Sequence, residues 1–263
     1  VSETNLNVRP KRLARVFHFI RKHWAPITAI GAYLFILIFF FFISLPDVSY
    51  LKTHNPKTTS LIELRKEQAA ANGKKLRIRQ HWVPFRRIPK LLRRAVRITE
   101  DASFYRHNGI DYEEIKEAIK KDLSKGRLAR GGSTITQQLA KNLYLSTQKS
   151  FYRKIREYFI ARRLEAHLSK NRIFHLYLNV IEFGHGIFGV QAAARYYFKR
   201  NVDQLNLEQI IRLTAVIPRP LSIRPTGKSR RLKWKCRWIL RKLLKYGYIS
   251  KTQFRQTLPA FER

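Results

Sequence analysis

Three strings decide how this chain reads: EDASFYRHNG at 100–109, GGSTITQQLAKN at 131–142 and RKIRE at 153–157. Leu92, Ala95 and Val96 recur at helical spacing just upstream, so a helix delivers Glu100 at or near its end, where a carboxylate can face a cleft. In the second string Gly131 and Gly132 permit close backbone approach, and Thr134 and Gln137 have capping-box spacing. A helix is therefore expected to begin near Ser133, with Ile135, Leu139 and Leu143 on a buried face and Thr134, Gln137, Gln138 and Lys141 on the other. Free amides, hydroxyls and a lysine at a helix start suit anionic oxygen. The third string follows Lys149 and carries Arg153 and Lys154, with Arg153 and Glu157 four residues apart as in an intrahelical ion pair. Two carboxylates, Glu100 and Glu157, thus bracket donors and cations, an arrangement suited to moving a sugar off a phosphate.

Outward from this stretch, the composition sets limits. Fifty-four Lys and Arg against 17 Asp and Glu give the 263-residue chain a formal charge of +37. Such a surface attracts a polyanion, whether nucleic acid, anionic lipid headgroups or a phosphate-bearing substrate. The single cysteine, Cys236, excludes an intramolecular disulfide and supplies no cluster for structural zinc. Residues 1–23 are polar and basic. From Trp24 to Pro46 there is no charge, and AYLFILIFFFFISL at 32–45 is long enough, with its flanks, to span a bilayer as a helix. It lacks the short apolar region and small-residue cleavage site of a signal peptide. The basic flank places the N-terminus in the cytoplasm and the rest of the chain beyond the membrane, which disfavours nucleic acid as a partner.

The expected organisation is a basic cytoplasmic tail at 1–23, a transmembrane helix at 24–46, a juxtamembrane membrane-associated segment at 47–90 and a catalytic domain at 91–263. HWVPFRRIPK at 81–90 mixes aromatic and basic residues in the manner of a headgroup-layer segment. Leu164, Leu168, Ile173 and Leu176 lie at helical spacing, and two more helices are read at 205–216 and 232–248. No alternating strand pattern of useful length is found in the domain. The basic run at 228–235 reads as a solvated or membrane-facing surface.

The three strings together resemble the signature motifs of the family 51 peptidoglycan glycosyltransferases, of the monofunctional biosynthetic kind. KNRIFHLYLN at 170–179 and GVQAAARYYF at 189–198 resemble two further family segments, and the resemblance covers roughly residues 46–248. It implies a mainly α, lysozyme-like glycosyltransferase domain behind one N-terminal transmembrane helix. It implies that Glu100 is the base that deprotonates the acceptor hydroxyl and that Glu157 is the second catalytic carboxylate. Substrate contacts carried over by the motifs are Asp101, Phe104, Ser133, Thr134, Gln137, Lys141, Lys149, Arg153 and Lys154. His107 and Asn179 are read as structural, Asn179 as capping or positioning a loop. The implied substrates are lipid II (undecaprenyl diphosphate-linked disaccharide-pentapeptide) and the growing glycan strand, in contact with membrane lipid, alongside cell-wall synthesis or division proteins. No cofactor is required by the sequence, although a divalent cation, Mg or Mn, is compatible with Glu157. The implied location is the bacterial cytoplasmic (inner) membrane, single-pass, with the domain extracytoplasmic.

The chain departs from the family pattern at Glu117, where a basic residue is usual; Lys116 and Lys120 are its neighbouring cations. His175 stands where an acid is frequent and Lys149 where arginine is common. Ser146 to Lys149 matches SxxK, but the partner motifs of a transpeptidase are missing, so a monofunctional enzyme is expected. Two other classes remain open from the residues: a lysozyme-like glycan hydrolase using water, and a membrane-tethered basic binding protein.

Overall fold

The computed structural model describes residues 24–123, 132–148 and 150–262, and the chain divides into two compact units, Val1–Pro46 and Asp47–Arg263. The basic tail expected at 1–23, the quoted Gly131 and the candidate Lys149 lie outside the described residues.

In the first unit, helix α1 (Trp24–Ile43) carries no charged side chain and is apolar around its whole circumference. At 20 residues, with mean hydropathy 2.4 over an 18-residue window in which no residue is buried, it is long and apolar enough to cross a membrane. Pro26 falls in its first turn, where a missing amide hydrogen costs nothing. Such a helix is compatible with a membrane anchor.

The second unit is mainly α-helical and includes residues 47–90. Its helices are α2 (Ser60–Ala71), α3 (Lys90–Glu100), α4 (Tyr112–Leu123), α5 (Ile135–Tyr144), α6 (Phe151–His167), α7 (Lys170–Val180), α8 (Val190–Phe198), α9 (Leu207–Val216), α10 (Arg230–Lys245) and α11 (Lys251–Thr257). The sequence writes most of their starts: Thr59, Thr134, Ser150, Ser169, Asn206, Ser229 and Ser250 each accept a first-turn amide on a side-chain oxygen, at the N-termini of α2, α5, α6, α7, α9, α10 and α11. Each such cap stabilises its helix by about 1 kcal/mol.

Helix α5 is the hub, packed by α2, α6 and α7; α3 is held by α9 and α10. Ile135, Leu139 and Leu143 are buried as the spacing predicts. Thr134 and Gln137 are buried too, because they are turned inward to cap the helix rather than outward to solvent. The helical spacing read through Leu164 to Leu176 is interrupted: α6 ends at His167, and Ser169 caps a new helix.

Three short strands form a sheet in the order β1-β3-β2, from β1 (Arg79–Gln80), β2 (Glu182–Gly184) and β3 (Ile187–Phe188). At two or three residues each they are too short for alternation to be visible in sequence. Asn179, at the end of α7, ties the approach to this sheet. Its Oδ1 accepts from the Val83 amide at 2.9 Å and its Nδ2 donates to the Val83 carbonyl at 3.2 Å, the loop-positioning role expected of it.

Candidate active site

Glu100 is the last residue of α3. Burial in the end of the cleft raises its carboxyl above the usual range, and the nearby Asp101 charge adds to this. Gln138 opposes the shift by donating from Nε2 to Glu100 Oε2 at 3.3 Å, and Lys235 and Lys141 oppose it through their charge. The Gln138 amide is itself oriented by buried Tyr177, whose hydroxyl donates to Gln138 Oε1 at 3.0 Å. With the oxygen so engaged, the amide nitrogen faces the carboxylate. A cleft of about 870 Å³ opens beside Glu100, bounded by the 101–111 loop, Glu113, Glu114 and Glu117 of α4, Arg162 of α6 and Lys242 of α10. Burial raises the Glu114 carboxyl as well, with Asp111 and Asp101 contributing.

Asp101, in the wall of this cleft, braces the site. It is buried, accepts the Ile135 amide at 3.0 Å and faces His107 Nε2 at 3.0 Å. The Gly109 amide donates to His107 Nδ1 at 3.2 Å, which fixes the ring proton on Nε2, toward Asp101. One carboxylate thereby joins the end of α3 to the N-terminus of α5, where the helix dipole favours it. Gly132 enters this start with φ of +102°, a conformation other residues resist. The helix begins at Ile135 on Thr134, which closes the expected capping box with Gln137.

The cations lie along α5 and α6. Glu157, buried on α6, accepts from Arg153 Nη1 at 2.6 Å and from Lys154 Nζ. Lys154 also reaches Ser133 Oγ at 3.3 Å, linking α6 to the residue before the α5 cap. Arg153 retains a buried Nε with no partner among the described residues. Lys141, one turn beyond Gln138 on α5, is lowered by burial, while the Glu157 carboxylate raises it and the charges of Arg153, Lys154 and Arg65 lower it. Lys141 therefore sits among the cations while its charge also acts on Glu100. Preformed positive charge next to a base-like carboxylate can stabilise an anionic leaving group.

Of the sequence-derived candidates, Glu100, Ser133, Lys141, Arg153, Lys154 and Glu157 come together in this way. Thr134 and Gln137 are occupied with each other in the cap. Phe104 is fully buried against Phe174, with Tyr105 and His107 beside it, so its ring belongs to the core beneath the site. Two residues stand outside the catalytic and substrate contacts read from the motifs. Gln138 rather than Gln137 meets Glu100; the capping-box spacing assigns Gln137 to the cap and leaves Gln138 on the polar face, but does not name its partner. Lys235 belongs to a run read as surface, yet burial lowers its ammonium and Glu100 raises it. It shares one face of α10 with Trp238 and Lys242, and both ammonium groups lie over the indole, at 4.0 and 4.2 Å. That i, i+3, i+7 spacing was present in the sequence.

Asp101, His107 and Asp111 place potential metal-ligand atoms within 4.8 Å of one another. Their acceptors are engaged, however: Asp101 holds the Ile135 amide, and Asp111 holds the Ser103 hydroxyl and the Glu114 amide. This is the bonding of a structural brace. A divalent ion at Glu157 would have to displace Arg153 or Lys154 from its oxygens.

A family model described as Transglycosylase matches residues 67–244. The chain is 41% identical over 202 residues, 77% of its length and 86% of the relative's, to a protein of Nitrosospira multiformis named biosynthetic peptidoglycan transglycosylase. Proteins of the same name from Dechloromonas aromatica and Nitrosomonas eutropha are 46% identical over 166 residues (63% of this chain, 72% of theirs) and 43% identical over 196 residues (74% and 80%). The mainly helical fold agrees with the lysozyme-like class that the motifs implied. On a match over more than half its length, the chain belongs to the transglycosylase family, the family 51 peptidoglycan glycosyltransferases of the monofunctional biosynthetic kind.

Proposed function

We propose that this protein polymerises lipid II into glycan strands at the outer face of the bacterial cytoplasmic membrane, anchored by α1 with its N-terminus in the cytoplasm. The observation that carries this is the opposition of Glu100, a carboxylate raised by burial, to the cationic group of Lys141, Arg153 and Lys154. Glu100 takes the proton from the acceptor sugar hydroxyl as that oxygen attacks the anomeric carbon of the donor strand. The bond from that carbon to the polyprenyl diphosphate breaks on the opposite side, so configuration inverts. The departing diphosphate carries its negative charge into the cations, with Arg153 Nε and the hydroxyl of Ser133 as donors. Glu157 holds Arg153 and Lys154 in place. A glycan hydrolase has no need of a centre built for a phosphate.

The test supplies detergent-solubilised protein with lipid II and separates the products by size, with Glu100→Gln in parallel. A ladder from the parent and none from the variant is expected. A ladder from both removes Glu100 from its role, and none from a folded parent in the presence of lipid defeats the polymerase reading.

A further inference from the structure

Beyond Arg65 the cationic region continues into a separate trough. Ser60, at the start of α2, donates from Oγ to the Leu143 carbonyl of α5 at 3.0 Å, and Leu61 and Ile62 pack with Phe188 of β3. These contacts fix α2 along the helix that carries Lys141. Arg65, little more than a turn later, is locked by two 2.8 Å bonds to the buried Glu182 carboxylate and one to Gln68, and its charge acts on Lys141. The same Arg65 forms one wall of a trough of about 640 Å³ whose other residues include Lys74, Lys75 and His185. The Asn72–Gly73 turn, with Gly73 at φ +65° and the Lys74 amide donating to the Ala69 carbonyl, brings the two lysines back beside α2. No carboxylate lines the trough among the described residues.

We infer that this trough receives the terminal carboxylate of a stem peptide carried by the growing glycan strand, with Lys74, Lys75 and His185 as its contacts. The inference rests on the polymerase reading above. Its volume suits a short peptide end. Five extended residues reach about 17 Å from their sugar, enough for a carboxylate to lie well outside the bond-making centre while its sugar occupies it. The peptide terminus is ionised at neutral pH and complements a site of lysines. Lys74 and Lys75 are exposed, so removing them leaves the fold intact.

The experiment measures binding of purified short glycan strands to the full chain in detergent, with stem peptides intact or removed at the sugar, for the parent and for Lys74→Ala/Lys75→Ala. The parent should prefer peptide-bearing strands by about five- to tenfold, the scale of two exposed charge contacts, and the double variant should lose that preference while binding peptide-free strands as before. No preference in the parent, or a preference that survives in the variant, overturns the inference. If the variant instead loses affinity for lipid-linked disaccharide lacking a peptide, the trough takes phosphate and the peptide assignment falls. A glycan ladder run on the same preparations separates the two levels: no ladder from the parent defeats the polymerase reading, whereas a ladder without peptide preference defeats only the trough.

Discussion

Gln138 reaches across from α5 to the end of α3 and places Nε2 3.3 Å from Glu100 Oε2. The bond favours the ionised carboxylate, so its loss must raise the Glu100 carboxyl further. Gln138→Met should move the acidic limb of the pH–rate profile to higher pH, and Tyr177→Phe should move it the same way by less, because the amide is then free to turn. An unmoved or lowered limb in Gln138→Met would show that the bond does not act on the base.

Lys235 acts on the same group from α10 by charge. Lys235→Met should also shift the acidic limb upward, and Lys235→Arg should restore it. Lys242, which donates to the Ile98 carbonyl at 3.0 Å, remains in the variant to hold α10 against α3. A fall in rate at every pH with no shift would point to lost packing against Trp238 instead.

Glu100 itself should trade stability for activity. Its folded carboxyl lies above its unfolded value, so the folded state binds the proton more readily, and stability declines as pH rises from the unfolded value through the folded one. Glu100→Gln removes that burden: Tm should rise at neutral pH, and the gain should disappear in acid below the ordinary carboxylate range. The measurement is thermal unfolding across pH. An equal gain at all pH values would mean that burial of the charge is not its origin.

Asp101→Asn breaks a buried charged brace to the Ile135 amide and His107. A loss of about 2 kcal/mol in unfolding free energy is expected. Because the Asp101 charge raises Glu100, the acidic limb should move down, opposite to the effect of Lys235→Met. Unchanged stability in Asp101→Asn would rule out the brace.

Lys141→Ala should chiefly impair use of the lipid-linked substrate, whereas Glu157→Gln should leave Arg153 and Lys154 without their common partner and lower the rate as well. Steady-state kinetics on lipid II distinguish them. Normal binding and rate in Lys141→Ala would remove it from the diphosphate site.

Local features were legible from the chain because they depend on neighbours in sequence. The Thr134 and Gln137 cap, the delivery of Glu100 at a helix end and the Arg153–Glu157 pair are set by turn spacing and side-chain chemistry within a few residues. The apolar helix of 20 uncharged residues was equally plain, since a hydrocarbon core of about 30 Å selects length and composition alone. The two- and three-residue strands were not, because pairing across 79–80, 182–184 and 187–188 leaves no periodic trace in any one of them. Only the tertiary structure decided that Gln138 meets Glu100, that Phe104 sits in the core and that one lysine of a basic run, Lys235, turns inward. Those outcomes depend on which helix packs against which. A desolvated carboxylate acquires its pKa from groups 38 and 135 residues away in sequence, and local pattern carries no information about that distance.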